Sequence, residues 1–373
     1  MAISTIEKII LRRVAIKLHE PFRISNGEVS LKESIIIELH GGGVIGYGEA
    51  SPMSGSFYST ESPDSTLEAL SNDLAPQLLA SQESDPLRYA ESLNSYPREP
   101  FARAGIEGAM WHFAALKMNT SIAALFGLRL GKTPSGLALG LYDSIEQLVE
   151  RATTYLSDGY QRLKIKIMPG WDIEPLEAIR KRFGNIPLMV DANASYDVAL
   201  HRVALLQLDR FGLMMIEQPL AKDALKESAE LQRLLRTPIC VDESAETLEK
   251  VQHIIDTQAA KIVNIKVQRV GGLLNARKMH DMVLGAGLPA WLGTMPELGV
   301  ASAQALQLGG LPGFRYPSDI EASSRWFKDD LLSPQITMDS HGVITPPNGI
   351  GMGYEVDRVK LEKFTTEVRE FVR

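Results

Sequence analysis

Charged residues recur along this chain at nearly equal intervals, each close to the end of a short apolar run. They are the pair Lys164 and Lys166, then Asp191, Glu217, Asp242 and Lys266. Counted from Lys166, the steps are 25, 26, 25 and 24 residues. One strand, one helix and two short loops take about 25 residues, so a charge returns once per β/α unit. Three carboxylates between two lysine positions suggest a divalent metal ion flanked by two bases. Such a set suits removal of a proton from a carbon beside a carboxylate.

The acids follow directly on Leu188-Met189-Val190, Met214-Met215-Ile216 and Ile239-Cys240-Val241. Coming from three consecutive strands, their side chains are expected to converge. Carboxylates that close raise one another's pKa unless a cation sits among them. Mg2+, with Mn2+ as the variant, is the expected cation, because it takes hard oxygen ligands and keeps positions open for substrate. Any one of the acids could equally cap the next helix; three in register favour the metal. Lys164 and Lys166 form a Lys-x-Lys pair, and strand alternation puts both on one face, here the barrel interior. Buried lysines are costly unless paired or functional. A metal and a second lysine are expected to lower the pKa of one of them. The plainer alternative is two lysines whose heads reach solvent. Lys266 would approach from the opposite wall. Taking a proton from the carbon beside a carboxylate creates a dianionic enediolate, whose charge a divalent cation stabilises as it develops.

The elements that must hold these groups read as a barrel. Apolar runs recur over 137–142, 163–167, 187–190, 213–216, 238–241, 262–267, 289–292 and 313–316, with amphipathic stretches between nearly all of them. Eight such strands predict a parallel barrel, with working residues at the C-terminal strand ends. An open doubly wound sheet is the alternative, though it usually has fewer strands. Residues 1–125 read as an α+β domain. A meander over 6–17, 33–39 and 44–49 turns at Gly41-Gly42-Gly43, and helical patterns follow over 65–79, 86–93 and 102–117. The barrel is expected over 126–325, and a tail over 326–373 returns to the first domain, with β-like stretches at 335–338 and 342–345.

The net charge of −7 argues against a nucleic-acid partner. No secretory pattern and no membrane-length apolar run is seen, so a cytoplasmic location is expected. Cys240, the single cysteine, lies in an apolar run and reads as a core residue.

Longer stretches carry a resemblance. Leu163-Lys164-Ile165-Lys166, Val190-Asp191-Ala192-Asn193, Ile216-Glu217-Gln218-Pro219, Asp242-Glu243-Ser244 and Asn264-Ile265-Lys266 resemble the muconate-lactonizing subgroup of the enolase superfamily. Within it, Lys166-Ile167-Met168-Pro169-Gly170-Trp171-Asp172, Arg269-Val270-Gly271-Gly272-Leu273 and Ser323-Ser324-Arg325-Trp326-Phe327 are similar to the o-succinylbenzoate synthase/N-acylamino-acid racemase branch. The resemblance implies an α/β fold, a (β/α)7β TIM-type barrel with an N-terminal α+β capping domain completed by the C-terminal tail. It implies Asp191, Glu217 and Asp242 as metal ligands, Lys166 as the base, Lys164 as its electrostatic partner and Lys266 on the opposite face.

It implies a small carboxylate as substrate and a homo-oligomer. Substrate contacts are expected from the cap at Phe22, Ser25, Ser51, Phe57 and Tyr58, and from the barrel at Asn193, Gly293, Thr294, Met295 and Asp319. Phe57 and Tyr58 could equally be cap core. The implied activity is dehydration of 2-succinyl-6-hydroxy-2,4-cyclohexadiene-1-carboxylate in menaquinone synthesis. N-acylamino-acid racemisation is the alternative, alone or together with it, and dipeptide epimerisation comes third. Arg269 permits racemisation without demanding it. A Schiff-base aldolase using Lys166 or Lys266 is a rival that does not need three convergent carboxylates, so sensitivity to EDTA separates it. The chain departs from the family at Gly293-Thr294-Met295-Pro296-Glu297, where Gly-Gly-Met-x-Glu is usual; Thr294 and Pro296 lie where the far end of the substrate would rest.

Overall fold

The computed structural model describes residues 5–55, 58–81, 83–96 and 98–373. Strands β1 (Lys8–Ile24), β2 (Gly27–Gly41) and β3 (Val44–Ala50) form the expected meander. The run Ile35-Ile36-Ile37 is fully buried on both faces of the sheet, which suits β-branched side chains. The helix Pro100–Lys117 lies against β3 and is buried along nearly its whole length. Glycines permit that approach: a Cβ on Gly48 would stand 2.0 Å from the Gly105 carbonyl oxygen. The 65–79 pattern is helical as expected, starting at Pro63 behind the Ser62 cap, with one wider π turn over Leu70–Leu74.

Seven parallel strands follow: β4 (Leu137–Leu139), β5 (Leu163–Lys166), β6 (Leu188–Asp191), β7 (Ile216–Glu217), β8 (Ile239–Val241), β9 (Ile262–Lys266) and β10 (Ala290–Gly293). They pair in chain order. The eighth run closes the gap without a ladder of its own. Phe314 bridges to Ala290, Ser318 bridges to Ser135, and the Asp319 amide donates to Leu292 O. Pro312 and Pro317 flank 313–316, and proline has no N–H for a ladder, so the pairing reduces to isolated bridges. Below the strand ends, Met189, Met215, Cys240, Ile262 and Trp291 plug the interior. The Trp291 indole donates to Cys240 Sγ at 3.1 Å, and burial pushes that thiol well up, which suits a core residue.

In the tail, Val343–Ile344 pairs with Thr133–Pro134, whereas 335–338 forms no strand. Strand β11 (Thr365–Val372) lies antiparallel on the outer edge of β1, from Lys8 opposite Val372 to Val14 opposite Thr365. The end of the chain is thus part of the cap sheet.

Glu107, on the helix Pro100–Lys117, fastens cap to barrel. It accepts the Leu273 and Leu274 amides and the Trp111 indole N–H. Burial pushes its carboxyl up to about 7 against these donors and Arg103. A carboxyl raised on folding contributes stability below its unfolded pKa and loses it as pH rises through the folded value. Stability is therefore expected to fall between about pH 4.5 and 7, by up to about 3 kcal/mol at 1.4 kcal/mol per unit. Urea midpoints across that range should slope less in Glu107→Gln; an unchanged slope would remove Glu107 as a contributor.

Candidate active site

The charged residues fixed by the 25-residue rhythm meet at one end of the barrel. Lys166 pairs in register with Asp191, Asp191 with Glu217, and Lys266 with Gly293. Asp242 follows β8 by one residue. None of the six residues is more than 6% exposed, so water cannot balance their charge.

They balance one another. Lys166 Nζ donates to Asp191 Oδ2 at 2.5 Å and to Asn193 Oδ1 at 2.8 Å. Lys164 Nζ bonds Asp319 and lies 3.4 Å from Glu217 Oε2 and 3.8 Å from Asp191 Oδ2. Lys266 Nζ donates to Asp242 Oδ2 at 2.8 Å and to the Tyr58 hydroxyl at 3.1 Å. Arg269 bonds the other Asp242 oxygen. Burial lowers the pKa of Lys164, but Asp319, Glu217 and Asp191 outweigh it and raise it overall. Burial likewise lowers that of Lys266, and Tyr58, Glu217, Glu243 and Asp191 carry it upward. Acids surround each of these two ammonium groups. Burial and the neighbouring Asp191 raise Glu217, while Lys166 and Lys164 overcome burial to hold Asp191 low.

Among the described residues, no three acidic, histidine or cysteine side chains are gathered closely enough to hold a metal ion as they stand. The acids stand at adjacent strand ends, but each is turned toward a lysine or arginine. The donor set nonetheless suits a hard divalent cation. It consists of buried carboxylate oxygens, and a further one, Glu243 Oε2, is buried without a hydrogen-bond partner among the described residues. Asn264 holds Glu217 Oε1 at 2.7 Å, and Asn193 holds Glu243 Oε1 at 2.9 Å.

One pocket takes in all three lysines. Phe22, Ile24, Met53 and Tyr58 line it from the cap, and Asn193, Thr294, Met295, Pro296, Asp319 and Trp326 line it from the barrel side.

Two family models match the chain: "Mandelate racemase / muconate lactonizing enzyme, N-terminal domain" over residues 6–127 and "Enolase C-terminal domain-like" over 147–360. The chain belongs to the enolase superfamily. It falls in the muconate-lactonizing subgroup. It is 37% identical to an o-succinylbenzoate synthase of Geobacillus kaustophilus, over 100% of this chain and 99% of the relative. It is also 37% identical to an N-succinylamino acid racemase of an Amycolatopsis species, over 98% of each chain. A crystal structure of an enolase-superfamily member from Listeria innocua superposes with a TM-score of 0.92 at 31% identity, covering 99% of both chains.

Not every position expected at this enolase-superfamily site lines the pocket. Ser51 is buried behind it, its amide donating to Gln268 Oε1 at 3.0 Å. Gly293 is also set back: a Cβ there would stand 2.1 Å from Asn264 Oδ1, so it makes room for the residue that holds Glu217. Ser25 Oγ reaches Ala192 O at 3.5 Å beside the mouth. Phe57 lies outside the described residues. Thr294 Oγ1 donates to Asp319 O at 3.0 Å, so the hydroxyl that departs from the family pattern ties the seventh strand end to the eighth. Asp319 also accepts from Arg162 Nη2 at 2.7 Å. Arg162 was legible but missed: with Lys164 and Lys166 it makes positions i, i+2 and i+4 of one strand face. Asn264 stands in the same relation to Lys266.

Proposed function

We propose that this chain dehydrates the cyclohexadiene carboxylate precursor to o-succinylbenzoate, as a lyase of menaquinone synthesis. Racemisation of N-succinylamino acids at the same site is the second reading, and two lysines reaching one pocket from different strands favour it. The observation that carries both is Lys166 and Lys266 in one pocket with three buried acids on the strands between them. The names of relatives similar over their whole length support the pair of activities. A cytoplasmic location, a small carboxylate substrate and a homo-oligomeric state go with this reading.

Asp191, Glu217 and Asp242 would hold Mg2+ or Mn2+, which supplies divalent charge to the substrate carboxylate as it becomes a dianion. Lys166, aimed by Asp191 and Asn193, takes the proton from the carbon beside that carboxylate. In dehydration it returns the proton to the departing hydroxide, so one C–H and one C–O bond break, one C=C forms and water leaves. Lys266 then acts only as a cation. In racemisation Lys266 delivers or removes a proton at the other face. Lys164, kept charged by Asp319, Glu217 and Asp191, lends positive potential beside Lys166. Phe22, Ile24, Met53 and Trp326 keep water from the intermediate.

Assaying both substrates on the purified protein tests the proposal, and turnover of neither overturns it. Lys266→Arg is expected to keep dehydration within about tenfold and to cut racemisation by about a thousandfold, because arginine stays charged and cannot serve as the second base. Equal losses would contradict the split in roles.

A further inference from the structure

The cap reaches Lys166 through one short segment, and a partly buried ionic cluster fixes it there. Pairing of β1 with β2 is interrupted between Lys17 and Phe22, so residues 18–21 are free to leave the sheet. Leu18 bridges to Phe327 of the barrel, and farther on the Leu141 amide donates to Arg23 O at 2.8 Å. Between these points stands Glu20. Its Oε1 accepts from the Tyr142 and Tyr155 hydroxyls, both at 3.2 Å, and lies 3.6 Å from Arg325 Nη1. Its Oε2 pairs with Arg151 Nε at 3.1 Å.

The Arg325 guanidinium lies 4.1 Å from the Tyr155 ring centroid and 4.6 Å from that of Trp326. It also donates to Ala138 O at 3.2 Å. Two residues beyond Glu20, Phe22 packs edge-on against Trp326 with centroids 5.1 Å apart. The Phe22 ring centroid is 5.8 Å from Lys166 Nζ. In extended backbone, residues two apart share a face, so the contacts that seat Glu20 also aim Phe22. An ion pair with several satisfied hydrogen bonds and little exposure is stronger than a surface pair.

We propose that Glu20 is a positioning residue whose cluster with Tyr142, Tyr155 and Arg325 latches segment 18–26 onto the barrel and so holds Phe22 over the substrate beside Lys166. The inference rests on the proposed reaction for its kinetic consequence, but not for the latch itself. Glu20 touches no reacting atom. Its loss is read as poorer retention of substrate rather than slower chemistry.

The test compares wild type, Glu20→Gln and Glu20→Ala. Amide hydrogen exchange over 18–26, which needs no substrate, is expected to quicken by about tenfold in Glu20→Ala. KM for the cyclohexadiene carboxylate should rise by about tenfold, with kcat within about twofold. Glu20→Gln keeps an acceptor for the tyrosines and loses the ion pairs, so it should fall between. In a Phe22→Ala background, Glu20→Ala should add nothing to KM, because the residue it acts through is gone. Unchanged exchange, a fall in kcat with KM preserved, or additive effects of the two substitutions would overturn the latch. A wild type that turns over neither substrate would overturn the reaction instead, and the exchange result would still decide the latch.

Discussion

Lys166→Ala is expected to remove both dehydration and racemisation, lowering kcat by about four orders of magnitude in each, the range for loss of an essential acid–base group. Either reaction needs a base on the face of the carbon that Lys166 addresses. Its Nζ is the only part of the side chain bonded to Asp191 and Asn193, at 2.5 and 2.8 Å. Lys164 cannot take over. Its Nζ is tied to Asp319 and faces Glu217 and Asp191. Lys266 belongs to the other end of the carboxylate row, where Asp242 holds it. KM should change far less than kcat, because a base used in the transition state adds little to substrate binding. Steady-state kinetics with both substrates, and exchange of the substrate proton with deuterated solvent, measure this. Racemase turnover in the variant at even a hundredth of the wild-type rate would discard the two-base scheme.

The same residues show what a sequence exposes and what it hides. Lys166, Asp191, Glu217, Asp242 and Lys266 were visible because a barrel repeats its backbone, and a repeat of about 25 residues projects onto the chain. Arg162 was within reach by alternation. The eighth strand was overread, since Pro312 and Pro317, which have no N–H to donate, bound the run at 313–316 and leave it too short for a ladder. The resemblance puts Ser51 and Gly293 among the substrate contacts, but neither lines the pocket; one-residue offsets decide which side of a strand end a group occupies. Glu20 left no local signal. Its partners lie more than a hundred positions away, and nothing in the 18–26 segment reveals that Tyr142, Tyr155 and Arg325 meet it. The side-chain orientation of the acids was equally hidden, because it depends on which cation stands nearest.

Asp242→Asn is expected to weaken Mg2+ binding by about a hundredfold or more, since hard cations bind through charged oxygens and the amide removes one negative charge from three. Asp242 is fully buried and its two oxygens are shared between Lys266, Arg269 and Tyr58. Asparagine nearly matches its shape, so the loss is electrostatic. The variant also leaves Lys266 and Arg269 buried with less compensating charge, and removal of one partner from a buried pair costs about 3–5 kcal/mol. Titration calorimetry with Mg2+ on protein whose circular dichroism matches wild type separates the two effects. Unchanged affinity in a folded variant would take Asp242 out of the ligand set and leave it as the residue that tethers Lys266. If affinity falls as expected, added Mg2+ should restore part of the activity of the variant, and no excess should restore that of Lys166→Ala. Charge that can be supplied from solution is thereby distinguished from a proton acceptor that cannot.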